Sequence, residues 1–87
     1  MIIRYHKRFF KHFKQRIVSN LSLDRKYTKR LPLFLSDPKQ ALLNDHALHG
    51  DLEGYRSFSV TGDIRVVYKI EGEAMKFYDI GSHNQVY

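Results

Sequence analysis

The sequence predicts an α+β fold in which two helices from its first half pack on a small, mainly antiparallel sheet from its second half. Three observations lead there. Apolar residues recur at helical spacing as far as Phe34 and then, from Tyr55 onward, at every second position. The strand-like runs are joined by short turns, Thr61-Gly62-Asp63 and Glu71-Gly72-Glu73, which only antiparallel neighbours can use. Finally, 87 residues suffice for one core and not for two, so residues 1–87 are expected to form a single domain.

After a short apolar start, Met1 to Tyr5, the stretch from His6 to Val18 sets Phe9, Phe10, Phe13 and Ile17 at helical spacings, with Lys7, Arg8, Lys11, Lys14 and Arg16 elsewhere. The three phenylalanines are expected in the core and the cations in solvent. Ser19 and Asn20 break this helix. A second helix begins near Ser22, an N-cap residue type, and carries Leu23, Tyr27, Leu31 and Phe34 at spacings of four, four and three. Pro32 lies within it, and a proline removes one backbone hydrogen bond and crowds the preceding turn, so a kink or an early end is predicted before Asp37-Pro38. Ala41 to Gly54 reads as a loop. Beyond it Phe58 and Val60 alternate with Ser57 and Ser59, and Ile64, Val66, Tyr68 and Ile70 alternate with Arg65, Val67 and Lys69. A third strand spans Ala74 to Ile80, and Gly81-Ser82 opens a short tail.

Charge narrows the function. Fifteen Lys and Arg against nine Asp and Glu give a formal +6, a surplus that attracts polyanions or an acidic protein partner. The chain has no cysteine, which excludes a disulfide framework and a thiolate zinc site. No window approaches the roughly 18 consecutive apolar residues that a membrane helix needs, and no signal-peptide pattern opens the sequence, so a soluble protein of the reducing cytoplasm is expected.

Alternation also sorts residues by face. With Phe58, Val60, Ile64, Val66, Tyr68 and Ile70 turned to the core, Ser57, Ser59, Asp63 and Arg65 share the opposite face. The loop bearing His46 and the tail bearing His83 and Tyr87 can reach that face. Two imidazoles, a guanidinium, a carboxylate and a phenol form a set suited to cleaving RNA through its own 2′-hydroxyl. That reaction needs a base for the 2′-OH proton, a cation for the charge gathering on phosphorus, and an acid for the leaving 5′-oxygen. Imidazole suits both proton roles, Arg65 a bidentate phosphate clamp, and Tyr87 stacking on a base. Each residue also has a plainer reading. Arg65 is an ordinary solvent-facing strand residue, His83 a solvated tail residue, and His46 a loop residue bonded to backbone. His46 and His49 lack a third ligand at suitable spacing, so no metal site is expected. The cationic face of Lys7, Arg8, Lys11 and Lys14 is either solvated or suited to an RNA backbone.

The run Leu43 to Val60, with Asp45-His46, His49-Gly50 and Gly54-Tyr55-Arg56, then Gly62-Asp63-Ile64-Arg65-Val66-Val67-Tyr68, and finally Ile80-Gly81-Ser82-His83-Asn84-Gln85-Val86-Tyr87, resembles toxins of the RelE/ParE superfamily. Nearest are the RelE and YafQ mRNA interferases, and the likeness runs from about Phe9 to the last residue. The resemblance implies an N-terminal strand and an α-helical hairpin packed on a small sheet. It implies a type II toxin that cleaves mRNA in the ribosome and halts translation, without metal or organic cofactor. It also implies an acidic, partly disordered antitoxin as partner, with operator DNA reached only through that antitoxin. By position, His46 matches the loop histidine of the YafQ branch, Asp63 its strand aspartate, Arg65 the phosphate-contacting arginine, and His83 with Tyr87 the C-terminal histidine and aromatic pair. One departure stands out: Ser57 and Ser59 occupy positions where relatives place Lys, Asp or His. These hydroxyls are expected to face RNA without acting as bases, which leaves proton transfer to His83 and His46. The alternatives are a ParE-like inhibitor of DNA gyrase, against which the histidine and aromatic pair speaks, and a catalytically weak toxin acting mainly through its antitoxin complex.

Overall fold

The computed structural model describes residues 2–87. The chain runs through strand β1 (Ile2–Tyr5), helix α1 (Lys7–Phe13), a π-helical segment (Lys14–Val18) and helix α2 (Leu21–Ser36). After a 3₁₀ turn (Ala41–Leu43) come β2 (His46–Ala47), a second 3₁₀ turn (Gly50–Leu52), β3 (Arg56–Ser59), β4 (Ile64–Glu71), β5 (Ala74–Ser82) and α3 (His83–Val86). The five strands form one sheet in the order β1-β5-β4-β3-β2. The hairpins β2-β3, β3-β4 and β4-β5 are antiparallel, whereas β1 lies parallel to β5, its first residues reaching back along the last strand. No helix of the described residues is long and apolar enough to cross a membrane.

An aromatic core lies between the helical hairpin and the sheet. Phe34 of α2 stacks on Phe58 of β3 with ring centroids 4.1 Å apart, and Phe77 of β5 meets the rings of Phe9, Phe34, Phe58 and Tyr68. Phe58, Val60, Ile64, Val66 and Tyr68 are buried there, as their alternation predicts. Phe10 and Ile70 are not: each is 53% exposed. Phe10 sits one residue off the Phe9-Phe13-Ile17 stripe, about 100° round the helix, where its ring meets the exposed ring of Tyr5. Ile70 lies near the far end of β4, next to the turn.

Several elements differ from expectation for physical reasons. Asn20, not Ser22, caps α2, its side chain accepting from the Leu23 N–H at 3.2 Å. Pro32 does not end that helix, which continues to Ser36. Pro32 and Thr28, whose carbonyl loses its partner, are both exposed, which leaves the orphaned oxygen within reach of water. The first helix becomes a π-helical turn at Lys14, in which Arg16 turns inward to the Ile80 carbonyl at 3.0 Å. The expected loop 41–54 holds two 3₁₀ turns and β2, which sets His46 opposite Ser57 and Ala47 opposite Arg56. The expected tail is structured too: β5 extends to Ser82, which opens α3 through a capping box with Gln85.

The second face of the sheet is covered as well. Ser57, Arg65, Val67 and Asp79 lie on it and are all buried. Asp79 is enclosed by basic side chains from the first helical stretch, with His12 at 2.6 Å, Arg8 at 3.4 Å and Arg16 at 3.7 Å, and its carboxylate also accepts the Ile80 N–H. The other end of this face holds the side chains described next.

Candidate active site

Arg65 is the second residue of β4, and its guanidinium lies flat against β3. Its Nε donates to the Ser57 hydroxyl at 2.7 Å and approaches the Tyr87 hydroxyl at 3.0 Å. Its Nη2 donates to the carbonyls of Asn44 at 2.9 Å and Ser57 at 3.1 Å. Nη1 has no protein acceptor among the described residues, and no buried side-chain nitrogen there lacks a partner, so Nη1 is open to solvent. The residue is only 8% exposed, a cation held rigidly by three elements with one nitrogen left for a ligand.

The hydroxyls form a directed chain. Ser57 is fully buried, and its oxygen touches only Arg65 Nε and the Tyr87 hydroxyl, the latter at 2.5 Å. Since Nε donates, the serine proton has one acceptor left, the phenol oxygen. The phenol proton is then free to point outward. Tyr87 lies at the end of α3, half exposed, with its ring edge-on to His83 at a centroid distance of 4.6 Å. His83 is exposed, held at the N-terminus of α3 by the Ser82 cap.

On the opposite side the loop is pinned from beneath. The Asp45 side chain is 6% exposed and accepts Arg56 Nε at 2.8 Å and Arg56 Nη2 at 2.7 Å, together with the Tyr68 hydroxyl. Burial, and then the bond to Asp45, raise the pKa of the Tyr68 phenol, and the same carboxylate raises that of Arg56, so both keep their protons at any physiological pH. With Asp45 anchored towards the core, the Asn44 carbonyl and the His46 ring both lie against Arg65. His46 Nδ1 lies 3.0 Å from the Asn44 carbonyl and 3.4 Å from Arg65 Nη2.

His46, His83 and Tyr87 border a groove of about 380 Å³, with His49 and Asp51 also in its lining; Arg65 is not part of that lining but contacts Tyr87 and His46, which are. Four residues singled out by sequence, His46, Arg65, His83 and Tyr87, are therefore drawn together. Others are not. Asp63 is exposed in the β3-β4 turn, before β4 begins, and does not border the groove. Ser57, expected to face RNA, is fully buried and links Arg65 to Tyr87. Ser59 spends its proton on the Thr61 carbonyl. Lys7, Arg8 and Lys11 border a separate cavity of about 570 Å³ with His6 and His12. Arg8 there is partly committed to Asp79 and to the Tyr78 hydroxyl at 3.2 Å. Lys14 is exposed on the π-helical segment. His49 stands in the groove beside Glu53 at 3.5 Å, and no three potential ligand side chains converge on a metal position among the described residues.

A family model described as the bacterial toxin of type II toxin-antitoxin systems, YafQ, matches residues 1–87. The chain belongs to the YafQ toxin family. Among solved structures, YafQ from E. coli strain BL21(DE3) matches at 26% identity with a TM-score of 0.79, over 98% of this chain and 96% of that one. The E. coli DinJ-YafQ complex matches at 25% identity and a TM-score of 0.72, with the same coverage. A YoeB/ParE toxin from Agrobacterium tumefaciens, 18% identical, covers 95% of this chain and 99% of its own with a TM-score of 0.76, a likeness of fold alone. No match was found among curated protein sequences.

In this YafQ-family toxin, sequence reasoning missed Asn44, Asp45 and Arg56 as parts of the site. No periodicity marks the first two: Asn44 sits in a left-handed turn, and β2 begins only at His46.

Proposed function

We propose that this toxin is a ribosome-dependent endoribonuclease that cuts messenger RNA and thereby stops translation. In the reaction one imidazole of the groove takes the 2′-OH proton, and the freed oxygen attacks the adjacent phosphorus. The bond from phosphorus to the 5′-oxygen breaks, and the second imidazole returns a proton to that oxygen, leaving a 2′,3′-cyclic phosphate and a 5′-hydroxyl. Arg65 Nη1 and the outward phenol proton of Tyr87 hold the non-bridging oxygens as charge builds there. The supporting observation is the open nitrogen of an otherwise saturated, buried guanidinium, linked through Ser57 to Tyr87 beside a groove walled by His46 and His83.

The partners follow from charge and kinship. An excess of six positive charges suits ribosomal RNA, and exposed Lys7, Lys11 and Lys14 offer backbone contacts outside the groove. The E. coli relative is seen bound to DinJ. The corresponding partner here is an acidic antitoxin that covers the toxin and alone contacts operator DNA.

The test is cleavage of a defined mRNA on programmed ribosomes, with the product ends analysed chemically. Wild type yields cyclic phosphate and 5′-hydroxyl ends. Loss of a positioned acid or base lowers the rate by about 10²–10⁴, and that loss is expected for His83→Ala. Asp63→Asn, altered outside the groove, cuts as wild type does. Cleavage undiminished in His83→Ala, or products with 5′-phosphate ends, would refute the reading.

A further inference from the structure

Asn44 is the only described residue other than glycine with a positive φ, at φ 45° and ψ 45°. Asparagine tolerates this left-handed conformation better than most residues, and here it follows the 3₁₀ turn, its N–H bonded to the Ala41 carbonyl at 3.1 Å. The result is a backbone carbonyl shared by Arg65, through Nη2 at 2.9 Å, and the groove residue His46, through Nδ1 at 3.0 Å. Resting on the nuclease reading above, we propose that Asn44 is a positioning residue whose carbonyl makes His46 the general base and leaves His83 as the general acid.

The assignment comes from counting hydrogens. A carbonyl oxygen only accepts, so the 3.0 Å contact requires a proton on His46 Nδ1. The competing donor is Arg65 Nη2, 3.4 Å from the same ring nitrogen. Nη2 has two hydrogens, and both are engaged by the carbonyls of Asn44 and Ser57. It has none left for the imidazole, and the two lone pairs of the Asn44 oxygen are filled by one arginine and one histidine hydrogen. Every group is satisfied only when His46 carries its proton on Nδ1. In the neutral ring Nε2 then holds the lone pair, and it has no partner within the described chain. His46 is exposed and borders the groove, so that lone pair is available to a 2′-hydroxyl. His83 has no such restraint: its ring makes no hydrogen bond among the described residues and meets only the edge of Tyr87. With the base's role taken by His46, the acid's role falls to it.

Two variants separate positioning from mere folding. Asn44→Gly keeps the left-handed backbone at no steric cost, so the carbonyl stays in place. Asn44→Val disfavours it, because a β-branched residue at positive φ is strained, and the carbonyl swings away. ¹⁵N NMR of the histidine rings in the full chain reads the tautomer directly, without RNA. For neutral His46, wild type and Asn44→Gly should show a protonated Nδ1 and a bare Nε2, while Asn44→Val should show mixed tautomers. In ribosome-programmed cleavage, Asn44→Gly should remain within about threefold of wild type. Asn44→Val should lose about 10²-fold and show a displaced acidic limb in its pH-rate profile, the limb that reports the base. A proton on Nε2 of His46 in the wild type overturns the proposal even if Asn44→Val fails to fold. So does Asn44→Val with slower cleavage but a wild-type pH profile. Wild type that shows the Nδ1–H signal yet cuts no RNA would sink the nuclease reading, and the base assignment with it, while leaving the carbonyl's hold on the ring intact.

Discussion

Ser57 brings no reactive group to the groove, yet the geometry turns on it. Its hydroxyl sits between Arg65 Nε and the Tyr87 phenol and fixes which way the phenol proton points. Ser57→Ala leaves Arg65 Nε with Tyr87 alone and removes the phenol's directing partner. A stability loss of about 1–2 kcal/mol is expected in urea unfolding, together with slower cleavage at unchanged groove geometry. Full activity in this variant would show that the hydroxyl chain has no part in the chemistry. The alternation of the strand was enough to place Ser57 and Arg65 on one face. It could not reveal that this face is covered, because a period of two says nothing about what lies above it. The same limit hid Asn44 and Asp45: their roles depend on a two-residue strand whose partner is found only on folding.

Elements were legible where one signal dominated. The Phe9-Phe13-Ile17 stripe and the long alternation of β4 made their segments clear, and the helical hairpin with its antiparallel strands follows the expected α+β order. The early end expected at Pro32 does not occur, since the Thr28 carbonyl it leaves unpaired lies on an exposed stretch of the helix. The end of the chain misled differently: four residues are too few for periodicity, and only the Ser82 and Gln85 capping pattern announces α3. Gly81 ties this helix to the sheet. A Cβ there would lie 2.6 Å from Arg16 Nη1 and 2.7 Å from Gln85 Oε1. Gly81→Ala should therefore displace the arginine, the cap, or both, at about 1–3 kcal/mol, seen as a lower Tm. Because α3 carries His83 and Tyr87, cleavage should fall along with it. A variant as stable and as active as wild type would mean that this close approach does not hold α3.

Two regions of positive charge bear on the function. One adjoins the groove, where the buried Arg65 guanidinium contacts the lining residues Tyr87 and His46. The other is the first helical stretch, where exposed lysines provide attraction without shape, and where Arg8, His12 and Arg16 are drawn inward by Asp79. Composition announced the excess charge but not these two regions, which needed the fold to bring residues from both ends of the chain together. The central claim is that the groove, not the basic surface, cuts RNA. It is tested most directly by mapping mRNA 5′ ends in cells induced for wild type and for an Arg65→Ala, His83→Ala double variant, which retains every exposed lysine. New ends within translated codons and growth arrest are expected with wild type only. The same ends and arrest with the double variant would contradict the claim.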